Sequence, residues 1–336
     1  MDLKTLTEIN APSGHEQAIR RFLLDELKKL GFAPVLDRMG NVVVVKEGTG
    51  DAPRKCVMVS AHMDEVGLIV TSATEDGYLR IAAAGGIDPR VLVSKCVTVG
   101  DDKLPGVIGA VPIHLQSAAE RKHVLSMDEL LVDIGAKSKD EAECKAPMGT
   151  YISFDTPYVE YGDGFACGKA FDDRVGCLSL LRLLQEELPV DLVACFVSEE
   201  EVGCRGAKGA AFQQEPDVGI VLEGTTCNDL GDVPETAHVC EAGHGVAVSF
   251  MDGASIANRA LFRKALDVAK QENIPHQVKH SVSGGNDGGA IQRAREGVPV
   301  VVLSVPCRYI HSPSSVVKLS DVESQFALVK ALVKAL

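Results

Sequence analysis

The chain has 336 residues, 46% of them apolar and 24% charged, which suits a soluble globular body with a sizeable core, with room for an insertion. Lys and Arg total 34 against 47 Asp and Glu, and the resulting net charge of −13 argues against nucleic acid and anionic membrane as partners. No apolar run approaches the ~20 residues of a membrane span. Residues 1–10 lack the basic-then-apolar layout of a secretion signal. The ten cysteines run from Cys56 to Cys307 with no C-x-x-C pair, which suits reduced thiols better than a disulfide framework. The expected compartment is the cytoplasm.

Ser13-Gly14-His15-Glu16 has the form of a capping box, and Ile19, Phe22, Leu23, Leu27 and Leu30 follow at helical spacing, which predicts a helix up to Gly31. Strands are predicted at 41–45 and 56–59, the second leading into Ser60-Ala61-His62-Met63-Asp64. Residues two apart on an extended chain face one side, so His62 and Asp64 project together. From about 67 to 160 the texture changes. Short β-like pieces at 67–71, 78–82, 91–99 and 107–111 alternate with Gly, Pro and Asp, and Ser126-Met127-Asp128-Glu129 opens one expected helix. This reads as a small β-rich module inserted directly after His62 and Asp64.

Strand–helix alternation then resumes. Phe171-Asp172-Asp173-Arg174-Val175-Gly176 opens a helix with Val175, Leu178, Leu181 and Leu184 inward, stopped by Pro189. A strand at 193–197 runs into Ser198-Glu199-Glu200-Glu201, and one at 218–222 ends at Glu223. A helix over about 256–272 follows, then a strand at 298–303 leading to Tyr309-Ile310-His311-Ser312-Pro313, and a last helix from Asp321.

Three consecutive acids at the end of a buried strand repel one another and are costly to desolvate. They form either a solvated acidic loop or a cation site. His62, Glu200, Glu201, Glu223 and His311 all fall at or just past the C-terminal ends of predicted strands, and Asp172 falls at a helix start. That edge of an open α/β sheet is where ligands bind. Imidazole and carboxylate without thiolate suit Zn²⁺, Mn²⁺ or Co²⁺, and so many groups match two ions sharing a carboxylate. Plainer readings stand beside this one: a loop histidine at His311, a helix cap at Asp172-Asp173, and a metal-free hydrogen-bonded pair at His62 and Asp64. His114 receives no role. Gly203, Gly206 and Gly209 lack the ending of a phosphate loop.

Four motifs carry a resemblance that spans essentially the whole chain. They are Ala61-His62-Met63-Asp64-Glu65-Val66-Gly67, Phe171-Asp172-Asp173-Arg174-Val175-Gly176, Glu200-Glu201-Val202-Gly203 followed by Arg205-Gly206-Ala207, and Arg308-Tyr309-Ile310-His311-Ser312-Pro313. In their order and spacing the chain resembles the tetrahedral (TET), dodecamer-forming metallo-aminopeptidases. That family includes glutamyl, leucyl and deblocking aminopeptidases, whose members often carry the label endoglucanase or cellulase M. The resemblance implies a zinc-exopeptidase-like α/β fold, a central mixed β-sheet sandwiched by helices with an inserted barrel-like domain. Residues 1–66 and 161–336 would form the catalytic domain, and 67–160 the dimerisation or assembly domain.

The same resemblance implies two divalent metal ions per subunit, Zn²⁺ in the first place with Co²⁺ or Mn²⁺ as alternatives. Asp172 would bridge them, with His62 and Glu223 completing one ion and Glu201 and His311 the other. Glu200 would be the general base, Asp64 would orient the His62 imidazole, and the Asp172–Asp173 peptide would be cis. The implied substrates are short peptides, and the implied assembly is a homo-oligomeric dodecamer built from dimers. Two departures stand out: Glu223 replaces the commoner Asp, and Asn286 and Gly288 depart from a family G-T-D-A-G-A-I segment. Competing readings are an N-acyl amino acid deacylase, a glycoside hydrolase and an inactive metal-dependent assembly protein. Glycoside hydrolysis needs no histidine ligands, and 4% aromatic residues with no Trp supply little sugar-stacking surface.

Overall fold

Four apolar runs, Cys56–His62, Asp191–Val197, Val218–Thr226 and Val300–Arg308, lie parallel at the centre of an eleven-stranded sheet in the computed structural model, which describes residues 2–336. Strands covered on both faces read as continuous hydrophobic sequence. Leu192, Ala194 and Phe196 enter one core while Val193, Cys195 and Val197 enter the other. Helices Gln17–Lys29, Phe171–Leu183, Arg259–Gln271 and Leu319–Lys334 cover the first face. The shorter, Ala- and Gly-rich Arg205–Gln214 and Asp287–Gln292 cover the second. Antiparallel strands extend both sides, Val42–Lys46 and Val35–Leu36 on one, Ser315–Lys318 and Phe165–Gly168 on the other. The sheet is therefore mixed and sandwiched by helices, as expected.

Six further strands close into a separate barrel, in the order Gly67–Ala73, Leu79–Ala84, Leu131–Asp133, Leu104–Gly109, Cys96–Val99, Tyr151–Phe154. Leu68, Leu79, Ile81, Ile108, Val132 and Ile152 fill it as a hydrophobic cluster of its own. Closure removes the exposed edges that such short strands would otherwise present.

The structure corrects three sequence expectations. Helix Gln17–Lys29 has no side-chain cap, because the Ser13 hydroxyl donates to Asp64 Oδ2 at 2.6 Å instead. The helix expected at Ser126 is one 3-10 turn, Met127–Glu129, because Leu131–Asp133 is drawn into the barrel between two strands. The strand carrying Glu223 continues to Thr226, pairing with Val300–Arg308 as far as Cys307, so Glu223 lies inside the strand. Val159–Tyr161 pairs with Phe165–Gly168 in the large sheet.

Candidate metal centre

Parallel register carries the strand ends to one edge, with Val197 beside His62 and Glu223 beside Ser304. His62 is the last residue of its strand and is 1% exposed. Its Nδ1 lies 3.0 Å from the Asp64 carbonyl oxygen and 3.5 Å from Asp64 Oδ1. The other ring nitrogen, Nε2, therefore faces the crevice, 3.2 Å from Asp172 Oδ1 and 3.6 Å from Glu223 Oε2. Across the crevice His311 Nε2 lies 3.4 Å from Asp172 Oδ2 and 3.3 Å from Glu201 Oε2. The two oxygens of Asp172 thus face two different histidine–glutamate pairs.

The local chain explains this placement. The Asp172–Asp173 peptide is cis, and both residues have non-helical backbone angles within the first turn of Phe171–Leu183. Asp173 caps the helix, its Oδ1 accepting from Gly176 N–H at 3.0 Å, while its Oδ2 accepts from His62 N–H at 3.2 Å. Asp172 is left to face the crevice, held by Gly224 N–H at 3.2 Å.

The acidic turn is held from behind. Asn41 Oδ1 accepts from Ser198 N–H at 2.9 Å and its Nδ2 donates to the Gly206 carbonyl at 3.0 Å. A β-carbon at Gly206 would collide with both Asn41 and Ser198, so only glycine fits there. Asp64 Oδ1 and Oδ2 accept from the N–H groups of Glu200 and Glu201 at 3.1 and 3.2 Å. The three acids then diverge. Glu199 turns away to Arg205 at 3.1 Å, Glu201 faces His311, and Glu200 Oε1 accepts from the Cys204 thiol at 3.3 Å.

Burial raises the carboxyl pKa of Glu200, and that of Glu201 and Glu223 well above the usual range, with the Asp172 charge adding to each. Burial opposes the Asp172 charge too, but hydrogen bonds and charge from His311 and His62 outweigh it and hold that carboxyl low. For His62 and His311 burial disfavours the cation, yet hydrogen bonding to Asp172 and the nearby carboxylates prevail, raising His62 well above its ordinary value and His311 to about 9. Glu223 Oε1 is buried without any hydrogen-bond partner.

So many buried acids require a countercharge. One ligand atom each from His62, Asp172 and Glu201, and likewise from His62, Asp173 and Glu223, lies within 4.8 Å of the others. Zn–N and Zn–O bonds of about 2.0–2.2 Å require tetrahedral ligand atoms about 3.3–3.6 Å apart. The separations of 3.2 to 3.6 Å around Asp172 meet that requirement. The residues present fit divalent ions. A cleft of about 210 Å³ opens beside them, lined by Asp172, Glu200, Glu223, Lys279, Asn286 and His311.

Sequence reasoning missed the supports. Lys169 Nζ donates to both Glu65 oxygens at 2.8 Å in a fully enclosed pair, and Glu65 Oε1 also accepts from Ala11 N–H. Arg174, wholly buried, donates to the carbonyls of Met63, Leu6 and Ile9. The available signal was position: Lys169 and Arg174 flank Asp172-Asp173 in the sequence. His114 is exposed in a 3-10 turn.

The chain is similar to known proteins along nearly its whole length. The family model for M42 glutamyl aminopeptidase fits residues 40–328. The chain is 34% identical over 345 residues to lysyl aminopeptidase of Pyrococcus furiosus, covering 99% of this chain and 96% of that one. Among solved structures, the TET aminopeptidase of a marine sediment archaeon of the Thaumarchaeota superposes with a TM-score of 0.94 at 33% identity, over 99% of this chain and 95% of that one. The TET1 peptidase of Pyrococcus horikoshii, which can assemble into a tetrahedron or a large octahedral shell, gives a TM-score of 0.87 at 33% identity, over 99% and 98%. Fold and likeness together define an aminopeptidase, a hydrolase of peptide bonds. Within that class, the chain belongs to the M42 glutamyl aminopeptidase family, whose TET members share its architecture.

Proposed function

We propose that the chain is a dinuclear, metal-dependent aminopeptidase that removes N-terminal residues from short peptides. The observation that carries this reading is the position of Asp172, with one oxygen toward His62 and Glu223 and the other toward His311 and Glu201. These five residues would hold two divalent ions, Zn²⁺ in the first place and Co²⁺ or Mn²⁺ as alternatives. Such ions, when bound, supply Lewis acidity and a water of lowered pKa.

The chain's own residues do the rest. Glu200 lines the cleft and is the carboxylate that would take a proton from the attacking water and return it to the leaving amine. The Asp64 carbonyl accepts the Nδ1–H of His62, with the Asp64 carboxylate 3.5 Å from the same nitrogen, which keeps the Nε2 lone pair toward the crevice.

Residues 1–66 and 161–336 form the catalytic part in this reading, and 67–160 the assembly module of a homo-oligomer, a dodecamer built from dimers. Support comes from the assembling TET relative and from exposed Val111, Ile113, Leu115 and Val124 on that module. All ten cysteines are free, which suits the cytoplasm, and among the described residues no helix is long and apolar enough to cross a membrane.

A panel of aminoacyl and N-acylated amino acid chromogenic substrates tests the reading, assayed on metal-stripped protein and after adding Zn²⁺, Mn²⁺ or Co²⁺. Metal-restored release from substrates with a free amino group supports it. Cleavage of the blocked amino acids alone would identify a deacylase instead.

A further inference from the structure

Two residues beside the proposed base, Cys204 and Asp287, have no task in that mechanism. Cys204 closes the acidic turn in a left-handed conformation, φ 52°, and its thiol donates to Glu200 Oε1 at 3.3 Å. Asp287 approaches the same point, and its side chain is 1% exposed. Cys204 lies near enough to favour the Asp287 carboxylate, but its single proton is given to Glu200, and neither Asp287 oxygen has a hydrogen-bond partner. One ligand atom from each of Glu200, Cys204 and Asp287 lies within 4.8 Å of the other two. A buried carboxyl aimed at a thiol and a second carboxyl, with nothing to bond, is unfavourable as it stands and complete with a cation.

We propose that Cys204, Glu200 and Asp287 form a third divalent-cation site, selective for thiophilic ions such as Zn²⁺ or Cd²⁺, whose occupancy stops turnover by capturing Glu200. Bonds of about 2.0–2.2 Å to oxygen and about 2.3 Å to sulfur place a tetrahedral oxygen and sulfur about 3.5–3.7 Å apart, so the 3.3 Å between Cys204 Sγ and Glu200 Oε1 needs to open only slightly. On binding, the thiol proton passes to solvent, the sulfur–metal bond forms, and water completes the coordination. The thiolate separates this site from the histidine–carboxylate centre, since sulfur favours Zn²⁺ and Cd²⁺ over Mg²⁺ or Mn²⁺. An approach exists from outside the catalytic cleft. Cys204 lines an outer groove of about 990 Å³ together with Asn286, and Asn286 also lines the cleft that holds Glu200. The cluster sits in the wall between them.

The binding site stands on this geometry alone, whereas its inhibitory effect rests on Glu200 being the base. The test therefore reads the two separately. Metal-loaded enzyme is titrated with Cd²⁺ while the thiolate-to-Cd²⁺ charge-transfer absorption, Cd²⁺ bound at equilibrium and the rate on an aminoacyl substrate are followed. Cys204→Ala and Asp287→Asn are treated alike, which subtracts the other nine cysteines. We expect one equivalent of thiolate-bound Cd²⁺ in the wild type, absent in Cys204→Ala and at least about ten-fold weaker in Asp287→Asn. Wild-type activity should fall as the band grows, and Cys204→Ala should keep its activity. Equal Cd²⁺ binding and equal absorption in all three proteins would overturn the site. A Cys204-dependent band without loss of rate would uphold the site and overturn its inhibitory role, and with it Glu200 as base.

Discussion

Asp64 Oδ1 accepts the backbone N–H of Glu200 at 3.1 Å, which ties the residue behind the His62 imidazole to the chain carrying the proposed base. The same carboxylate accepts from Glu201 N–H and from the Ser13 hydroxyl, so both oxygens are fully engaged. An amide at this position would set an N–H donor against one of these donors. Asp64→Asn is therefore expected to lower metal affinity or kcat/KM by about 10–100-fold, as changes behind a ligating histidine do. Metal titration and steady-state kinetics on the variant measure both, and an unchanged enzyme would remove Asp64 from the account.

Glu200→Gln preserves shape and removes the proton acceptor. Its kcat should fall by about 10²–10⁴-fold, with bound metal per subunit unchanged. Elemental analysis beside the kinetics separates loss of a base from loss of an ion. A variant of normal activity would sink the assignment.

The Lys169–Glu65 pair is enclosed, with both side chains under 5% exposed. Removing only the cation strands a buried carboxylate, so Lys169→Met should cost about 3–5 kcal/mol in a denaturant titration. Lys169→Met with Glu65→Leu should recover most of that loss, though Ala11 N–H would still lack its acceptor. Equal destabilisation of the single and double variants would contradict this reading.

Burial alone would raise the Asp229 carboxyl, but hydrogen bonds from Arg308 and from Ala242 N–H outweigh it and hold the pKa at about 2, below its ordinary 3.8. A depressed carboxyl stabilises the fold fully above the unfolded value and loses that contribution as pH falls through the folded one. The stability gap between the wild type and Asp229→Asn should therefore be widest above pH about 4 and close toward pH about 2. Denaturation midpoints across that range check it, and a gap that widens on acidification would reverse the sign.

Strand ends and motifs were legible because their signal is local. Val193 to Val197 and Cys56 to Val59 are apolar runs, and the acids and His62 follow them directly. What stayed hidden depends on partners far away in the chain. Ser13 matches a helix cap by spacing, but Asp64, 51 residues on, is the acceptor it finds. Glu223 looked terminal because Gly224, Thr225 and Thr226 are weakly apolar, whereas pairing with Val300–Arg308 keeps them in the sheet. Arg205–Gln214 escaped notice because its packing face is Gly206, Ala207, Ala210 and Ala211, too small to mark a helical period. Lys169 and Arg174 have no signature of their own until the fold buries them beneath the carboxylates.

In the proposed function Asp172 is shared by two metal ions. Anomalous diffraction at the absorption edge of the bound metal, on crystals of the enzyme grown with that metal, tests it most directly. Two peaks about 3.5–4 Å apart are expected, one between His62 and Glu223 and one between His311 and Glu201, with Asp172 reaching both. A single peak at full occupancy, or metal bound away from Asp172, would contradict it.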